Sequence, residues 1–466
     1  MIEPSPHDKA TVYVTATRYK NDDYKPYVFK STDYGSTWQA ITDGIHEDHF
    51  TRVVREDPNK AGLLYLGTEF GLYVSFNAGE SWERFQLNLP ITPIYDLKIK
   101  DTDLVVATHG RAFWVLDDLT ILHQYSDAIA EKPAHLIAPR TTERRLPKVF
   151  EGMFESGVGK QYMSTMGVVA AYEVEETPEH GRNITFLDSG ENPPAGAIIT
   201  YYLQDKPSET ITLTIKDADG NTIKSFQSLH VEQEEGANKE LRIPSNAGWN
   251  RFIWDLRYAD ATKVEPNDDN QMGITAGPIA APGRYQVVLT VGEHEMSEQF
   301  EIVKEAGVET SDEDLQQQFD MLINIRDKVS ATHKTINQMR DVRNQLKGWQ
   351  QRISGDAAQP IKDALKDLEQ QVLEVEKELM IPDTRAGWPD SMNNGVRLAS
   401  QLAGLTFDVA LGDYKPTDEQ VIAYGEMVAD IDGVVDKFQD IVDGNLAELN
   451  TMLSNAGYGI VVVKQD

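Results

Sequence analysis

The spacing of apolar and polar residues changes character along the chain. Up to about residue 125, apolar positions alternate in short runs broken by Gly and Asn. Examples are "HFTRVVRED" (His49–Asp57), "LLYLGT" (Leu63–Thr68), "GLYVSF" (Gly71–Phe76) and "SWERFQL" (Ser81–Leu87). Alternation over so few residues between turn residues predicts half-buried strands. From about 165 to 305 the strand rhythm returns in "AIITYYL" (Ala197–Leu203), "TITLTIKD" (Thr210–Asp217), "GWNRFIWDLRY" (Gly248–Tyr258) and "APGRYQVVLTV" (Ala281–Val291). "DADGN" (Asp217–Asn221) between two such runs predicts a hairpin turn. Beyond about 310 the spacing becomes helical. Leu315, Phe319, Leu322, Val329, Ile336 and Met339 form one stripe; Ile361, Leu365, Leu368, Val372, Val375 and Leu379 form a second. A third helix is predicted over about 394–411. A fourth begins at Thr417 with Gln420 completing a capping box, and its stripe runs from Val421 to Val442.

The first region repeats itself. Leu63–Trp82 aligns with Leu104–Asp118, and Thr11–Trp38 is the same unit with a loop inserted around Lys20–Lys25. Trp38 and Trp82 lie 44 residues apart, a spacing usual for propeller blades of four short strands. No run ahead of Thr11 serves as an innermost strand for the first unit. Three blades leave sheet edges open, so further blades are expected from sequence outside this chain or from another chain.

The motif at the end of each unit is specific. Ser31, Asp33, Gly35, Thr37 and Trp38 spell S-x-D-x-G-x-T-W, and Ser75, Asn77, Gly79, Ser81 and Trp82 repeat it. This resembles the Asp-box, or BNR repeat, of sialidases, xyloglucanase-type glycoside hydrolases and the sortilin propeller. The third unit keeps "THGRAFWVLDD" without the Gly-x-x-Trp. The whole chain resembles the C-terminal portion of bacterial sortilin-like BNR-repeat glycosyl hydrolases. The W-D-L-R and P-G-x-Y sequences of the second region are similar to Ig-like modules attached to secreted enzymes. The expected fold is therefore multidomain β plus α. It comprises incomplete Asp-box propeller blades over 1–125, a linker or wrapping segment over 126–164, an Ig-like β-sandwich over 165–305 and an antiparallel helical bundle over 306–466.

Composition narrows the partners. Lys and Arg number 44 against 75 Asp and Glu, a net charge of -31, whereas nucleic acids and anionic membranes call for cationic surfaces. With no cysteine, disulfides, thiolate metal sites and cysteine nucleophiles are excluded. No run approaches the ~18 apolar residues of a membrane span. The start, "MIEPSPHDKA", has no signal pattern. With the resemblance, this gives an expectation of an extracellular or periplasmic protein whose signal lies outside this chain.

Chemistry has few candidates. Glycoside hydrolysis needs two carboxyls about 5–9.5 Å apart, and Asp33 is the first to consider. Asn77 in the second copy cannot serve as a carboxylate, so the box is read as a turn staple with its Trp packed between sheets. Arg52, Glu69, His109 and Arg111 are the candidate ligand-binding residues, since inner-strand and loop-tip positions face a propeller's channel and Arg clamps carboxylates. The competing reading is that they, with Arg55 and Glu56, tie adjacent blades together. An arginine triad with a Tyr–Glu pair, expected of a sialidase, is not assembled. His46 and His49 lack a third ligand at metal spacing. "DADGN" lacks the acidic residue of a calcium loop at its twelfth position, which is Ser228. No phosphate loop or G-x-S-x-G elbow occurs. No cofactor and no metal are expected. The leading expectation is a glycan- or protein-binding and structural module. The alternative is a glycoside hydrolase whose carboxylates lie in blades outside this chain.

Overall fold

The computed structural model describes residues 1–146, 157–165, 168–187, 189–190, 192–228, 241–265, 275–354, 359–382 and 395–464. It is a mixed β and α structure with antiparallel sheets first and helices last.

Two four-stranded meanders form the first blades. Blade 1 runs β1 (Ile2–Pro4), β2 (Val12–Arg18), β3 (Asp23–Ser31) and β4 (Gln39–Ala40). Blade 2 runs β5 (Thr51–Glu56), β6 (Leu64–Thr68), β7 (Gly71–Ser75) and β8 (Glu83–Arg84). Blade 3 has β9 (Ile94–Lys100), β10 (Asp103–Thr108) and β11 (Phe113–Leu116). Blade 1 does have an innermost strand, contrary to the sequence expectation. At three residues ending in Pro4, β1 is too short to show alternation.

The blades pack face to face. Tyr13, Val28 and Ile41 of blade 1 bury Val54, Leu66, Tyr73 and Trp82 of blade 2. The other face of blade 2, with Val53, Tyr65, Leu72 and Val74, packs on Leu97, Leu104 and Val106 of blade 3. Val53 and Val54 are adjacent yet both buried because each faces a different neighbour, which explains the break in alternation within "FTRVVRED".

The short helix α1 (Thr120–Gln124) follows blade 3. A two-sheet sandwich then forms. One sheet has the order β12 (Ala134–Leu136), β17 (Ala197–Leu203), β20 (Gly248–Trp254). The other runs β13 (Thr142–Arg144), β22 (His294–Lys304), β21 (Gly283–Val291), β18 (Thr212–Lys216), β19 (Thr222–Gln227). Trp254, Phe252 and Tyr201 from the first meet Leu213, Phe226, Val287 and Phe300 from the second in a common core. Two strands of this sandwich, β12 and β13, come from the segment 126–164, of which 147–156 lies outside the described residues. Strands β14 (Gly159–Thr165), β15 (Val168–Glu176) and β16 (Arg182–Phe186) make a separate sheet around Ala170, Tyr172 and Val174. In the β18–β19 hairpin, Asp217 accepts from the Asp219 and Asn221 amides at 3.0 and 2.8 Å, as an Asx turn does.

The helical region has α2 (Asp312–Arg352), α3 (Gln359–Leu379), α4 (Leu398–Val409), α5 (Asp418–Ile441) and α6 (Ala447–Asn455). Ser311 caps α2, and Thr417 and Gln420 form the reciprocal capping box of α5. Position 394, where the third helix was expected to start, lies outside the described residues. Among the described residues, the predicted stripes supply 12 of the 29 buried residues of the helical core, including Leu322, Val329, Ile336, Leu365, Leu368 and Phe438. Phe319 and Val421 are exceptions: Phe319 meets Tyr258 of the preceding segment at 4.8 Å with the rings tilted by 57°, and Val421 is exposed. Arg340 and Arg343 of α2 converge on fully buried Glu376 of α3. Arg144 of β13 joins sandwich to helices by donating to Asp413 and Gln318.

Candidate functional site

The two boxes have the same geometry written in different atoms. Asp33 Oδ1 accepts from Ser31 Oγ and from the Thr37 amide, both at 2.8 Å, and its Oδ2 accepts from Thr37 Oγ1 at 2.6 Å. Asn77 Oδ1 likewise accepts from Ser75 Oγ at 2.8 Å and the Ser81 amide at 3.0 Å, while its Nδ2 donates to Ser81 Oγ at 2.9 Å. Ser31 and Ser75 each accept from the amide of their glycine, Gly35 and Gly79, at 2.9 Å. Both glycines have positive φ, +82° and +88°. Hydrogen bonds from Thr37 and Ser31 pull the Asp33 carboxyl down to about 2. That is a turn acceptor held ionised, the opposite of a general acid.

A different set of side chains gathers where the inner strands β5 and β9 begin. Two β-bulges create it. Thr51 and Val53 pair with Thr68 and Gly67 in succession, which leaves Arg52 as the extra residue of β5. Asp96 and Ile94 pair with Ala107 and Thr108 in succession, which leaves Tyr95 as the extra residue of β9. A bulge re-aims its side chain out of the ladder. Here both turn to the same end of the blades, and the Arg52 guanidinium lies 4.3 Å from the Tyr95 ring centroid.

Around this pair lies an aromatic rim. Arg52 is also 5.1 Å from Phe50 and 5.7 Å from Tyr19, and Tyr19 stacks on Phe50 at 5.1 Å. Tyr95 meets His109 at 4.8 Å, edge to face. Across the β6–β7 tip, His49 stacks on Phe70 at 4.8 Å and bonds Tyr73 Oη at 2.8 Å. Burial, aided by the charges of His46 and Arg84, lowers the His49 pKa and favours its neutral ring. Tyr19, Tyr24, Phe70 and Tyr95 all keep exposed ring surface.

Three of the four residues singled out from sequence meet here. Arg52 Nε donates to Glu69 Oε2 at 2.6 Å, with Nη2 also on that carboxylate, and His109 joins them through Tyr95. Arg111 stands on the β10–β11 hairpin tip; its amide donates to Thr108 Oγ1 and its carbonyl accepts from Trp114 Nε1. The aromatic members were missed because their shared location depends on strand pairing. The available signal was an aromatic residue at each strand end that faces this side.

Arg55 and Glu56 are structural. Arg55 Nε donates to the Leu97 carbonyl at 2.8 Å, and its two terminal nitrogens reach Glu3 and Asp96, both at 2.7 Å. One guanidinium thus touches strands β1 and β9 from β5. Glu56 accepts from the Gly62 amide at 3.0 Å. At the opposite end of the blades, buried Asp57 accepts from His123 Nε2 at 2.9 Å, the Asn59 amide at 2.8 Å and Tyr65 Oη at 3.1 Å. Burial raises the Asp57 pKa, but these bonds outweigh it and the net shift is downward. Lys60 Nζ caps the end of α1 through the Leu122 and Tyr125 carbonyls.

No protein-family model matches this chain, and no curated protein sequence matches it. Among solved structures it is similar to a GH74 enzyme of Niastella koreensis, at 13% identity and a TM-score of 0.22 over 65% of this chain and 46% of that one. It is similar to a GH74 xyloglucanase from Xanthomonas campestris at 11% identity and 0.21, over 66% and 47%. A third is YCF48 bound to D1 peptide, at 12% and 0.19, over 43% and 59%. The chain spans less than two thirds of the length of each. The likeness is coarse, to proteins of the propeller and glycoside hydrolase kind. No helix among the described residues is long and apolar enough to cross a membrane.

Proposed function

We propose that this chain is part of a secreted Asp-box propeller protein of the sortilin-like glycosyl hydrolase kind, and that it binds a neutral polysaccharide at the aromatic end of its blades. The observation that carries this reading is the pair of bulges that turns Arg52 and Tyr95 to one place. Exposed aromatic faces stack on the C–H faces of sugar rings, which meet the negative face of the ring quadrupole. Glu69 and His109 beside them offer acceptors and donors for hydroxyl groups. Glu69 neutralises Arg52, and the chain carries a net charge of -31, so an uncharged glycan fits better than an anionic one. The Ig-like sandwich and the antiparallel bundle serve as rigid support for the blades.

Affinity electrophoresis of the full chain through gels containing neutral β-glucans tests the reading. Retardation is expected, with Tyr95→Ala and Arg52→Ala each weakening it at least ~10-fold, on the order of the contribution of one anchoring side chain. No retardation by any neutral glycan overturns it. Release of new reducing ends in the same samples would instead make the chain an enzyme, the second reading, with Glu69 the first carboxylate to replace.

A further inference from the structure

The contact between blades 1 and 2 is repeated in sequence but not in burial. Strand register pairs Ile2 with Val14 and Val14 with Phe29 in blade 1. It pairs Val54 with Leu66 and Leu66 with Tyr73 in blade 2. With the boxes aligned, Ile2, Val14, Phe29 and Trp38 occupy the places of Val54, Leu66, Tyr73 and Trp82. The blade 2 set is 0, 0, 3 and 3% exposed beneath Tyr13, Val28 and Ile41 of blade 1. In the blade 1 set Ile2 is 68% and Trp38 47% exposed. Val14, Phe29 and Trp38 line an open apolar hollow of about 290 Å³.

Two details show what the open face lacks. Trp82 Nε1 donates across the interface to the Ile41 carbonyl at 2.9 Å, whereas Trp38 Nε1 turns back to the Gly35 carbonyl of its own loop at 3.1 Å. A Cβ on Gly79 would stand 2.4 Å from Ile41 Cδ1, so blade 1 is pressed against that box; a Cβ on Gly35 would meet only Trp38, at 3.6 Å. Free apolar faces of this kind mark interaction sites.

We propose that this face of blade 1 docks a further four-stranded Asp-box blade. The docked blade presents apolar side chains at the positions of Tyr13, Val28 and Ile41, and a loop carbonyl that accepts from Trp38 Nε1. Its fitting surface is the one blade 1 already turns toward blade 2. On a second copy of this chain the exposed Phe113 and Val115 of blade 3 are the nearest match, but charge interrupts them. The open face of its blade 3 sets Lys98 beside Val105 and Lys100 beside Asp103, and burying those charges against Val14 and Phe29 is costly.

The test extends the full chain at its N-terminus with a second copy of residues 1–52, the added copy carrying Trp38→Phe. Fifty-two is the offset between Ile2 and Val54, so the added blade leads into Ile2 as blade 1 leads into Val54. Acrylamide quenching assigned to the original Trp38, by difference from a Trp38→Phe chain, is expected to fall several-fold. Its emission is expected to shift to the blue, and the melting temperature to rise. Phe29→Glu is expected to leave the unextended chain's melting temperature unchanged and to abolish all three gains. Unchanged quenching of Trp38 in the extended chain overturns the proposal. So does a concentration-dependent dimer of the unextended chain that Phe29→Glu dissolves, because the occupant is then a second copy.

Discussion

Asp33 and Asn77 do one job with different chemistry, and pH separates them. The folded pKa of Asp33 is depressed to about 2 from 3.8. Its stabilisation is fully present above about pH 3.8 and lost as pH falls through about 2. Asn77 has no such dependence. We therefore expect Asp33→Asn to leave the melting temperature near neutral pH unchanged and to flatten its fall between about pH 4 and 2, as followed by circular dichroism. Asp57 has the same sign, since its net shift is also downward. Asp57→Ala, which leaves His123 and Tyr65 without their buried acceptor, is expected to lower stability above about pH 4 and have less effect below it. Urea unfolding across that range checks it.

Single side chains act here through the elements that they lock together. Glu376 of α3 is wholly buried between Arg340 and Arg343 of α2. Removing one partner of such a group leaves buried charge uncompensated, and Glu376→Ala is expected to cost about 3–5 kcal/mol in urea unfolding. Replacing all three with apolar residues of similar volume is expected to cost much less. The helices were legible from sequence because their stripes are long and periodic, as for Leu365, Leu368 and Val372. The blades were legible through the boxes and their Trp spacing. Strands of two or three residues, such as β1 and β4, carry too little pattern to be seen; β8 was seen only because it falls inside the longer run "SWERFQL". The bulges at Arg52 and Tyr95 were invisible for another reason. A bulge is a property of two paired strands, and neither strand alone encodes it. Hence Arg52, Glu69 and His109 could be singled out as channel or loop-tip residues, while Tyr95, which joins them, could not.

At the scale of the molecule, sandwich and helices meet through polar anchors at two places: the segment after β20, where Ala259, Thr262, Lys263 and Glu265 bond Arg326, Ser330 and Asn337 of α2, and Arg144. Arg144 reaches Asp413 and Gln318, and Gln318 in turn donates to the Val409 and Gly412 carbonyls at the end of α4. Arg144→Ala is expected to split a shared calorimetric transition into two, with the helical part melting first; a single unsplit transition would mean the other contacts suffice. The blades are coupled differently. Arrays of repeats ordinarily touch only their nearest neighbours and come apart from an end, one unit at a time. Arg55 obeys that rule but ties both contacts to one side chain, since its guanidinium on the second inner strand bonds the first and the third at once. Each flanking blade thereby helps to hold the group that the other also bonds. Loss of one blade loosens the contact with the other, and the blades favour loss of structure in one step over peeling.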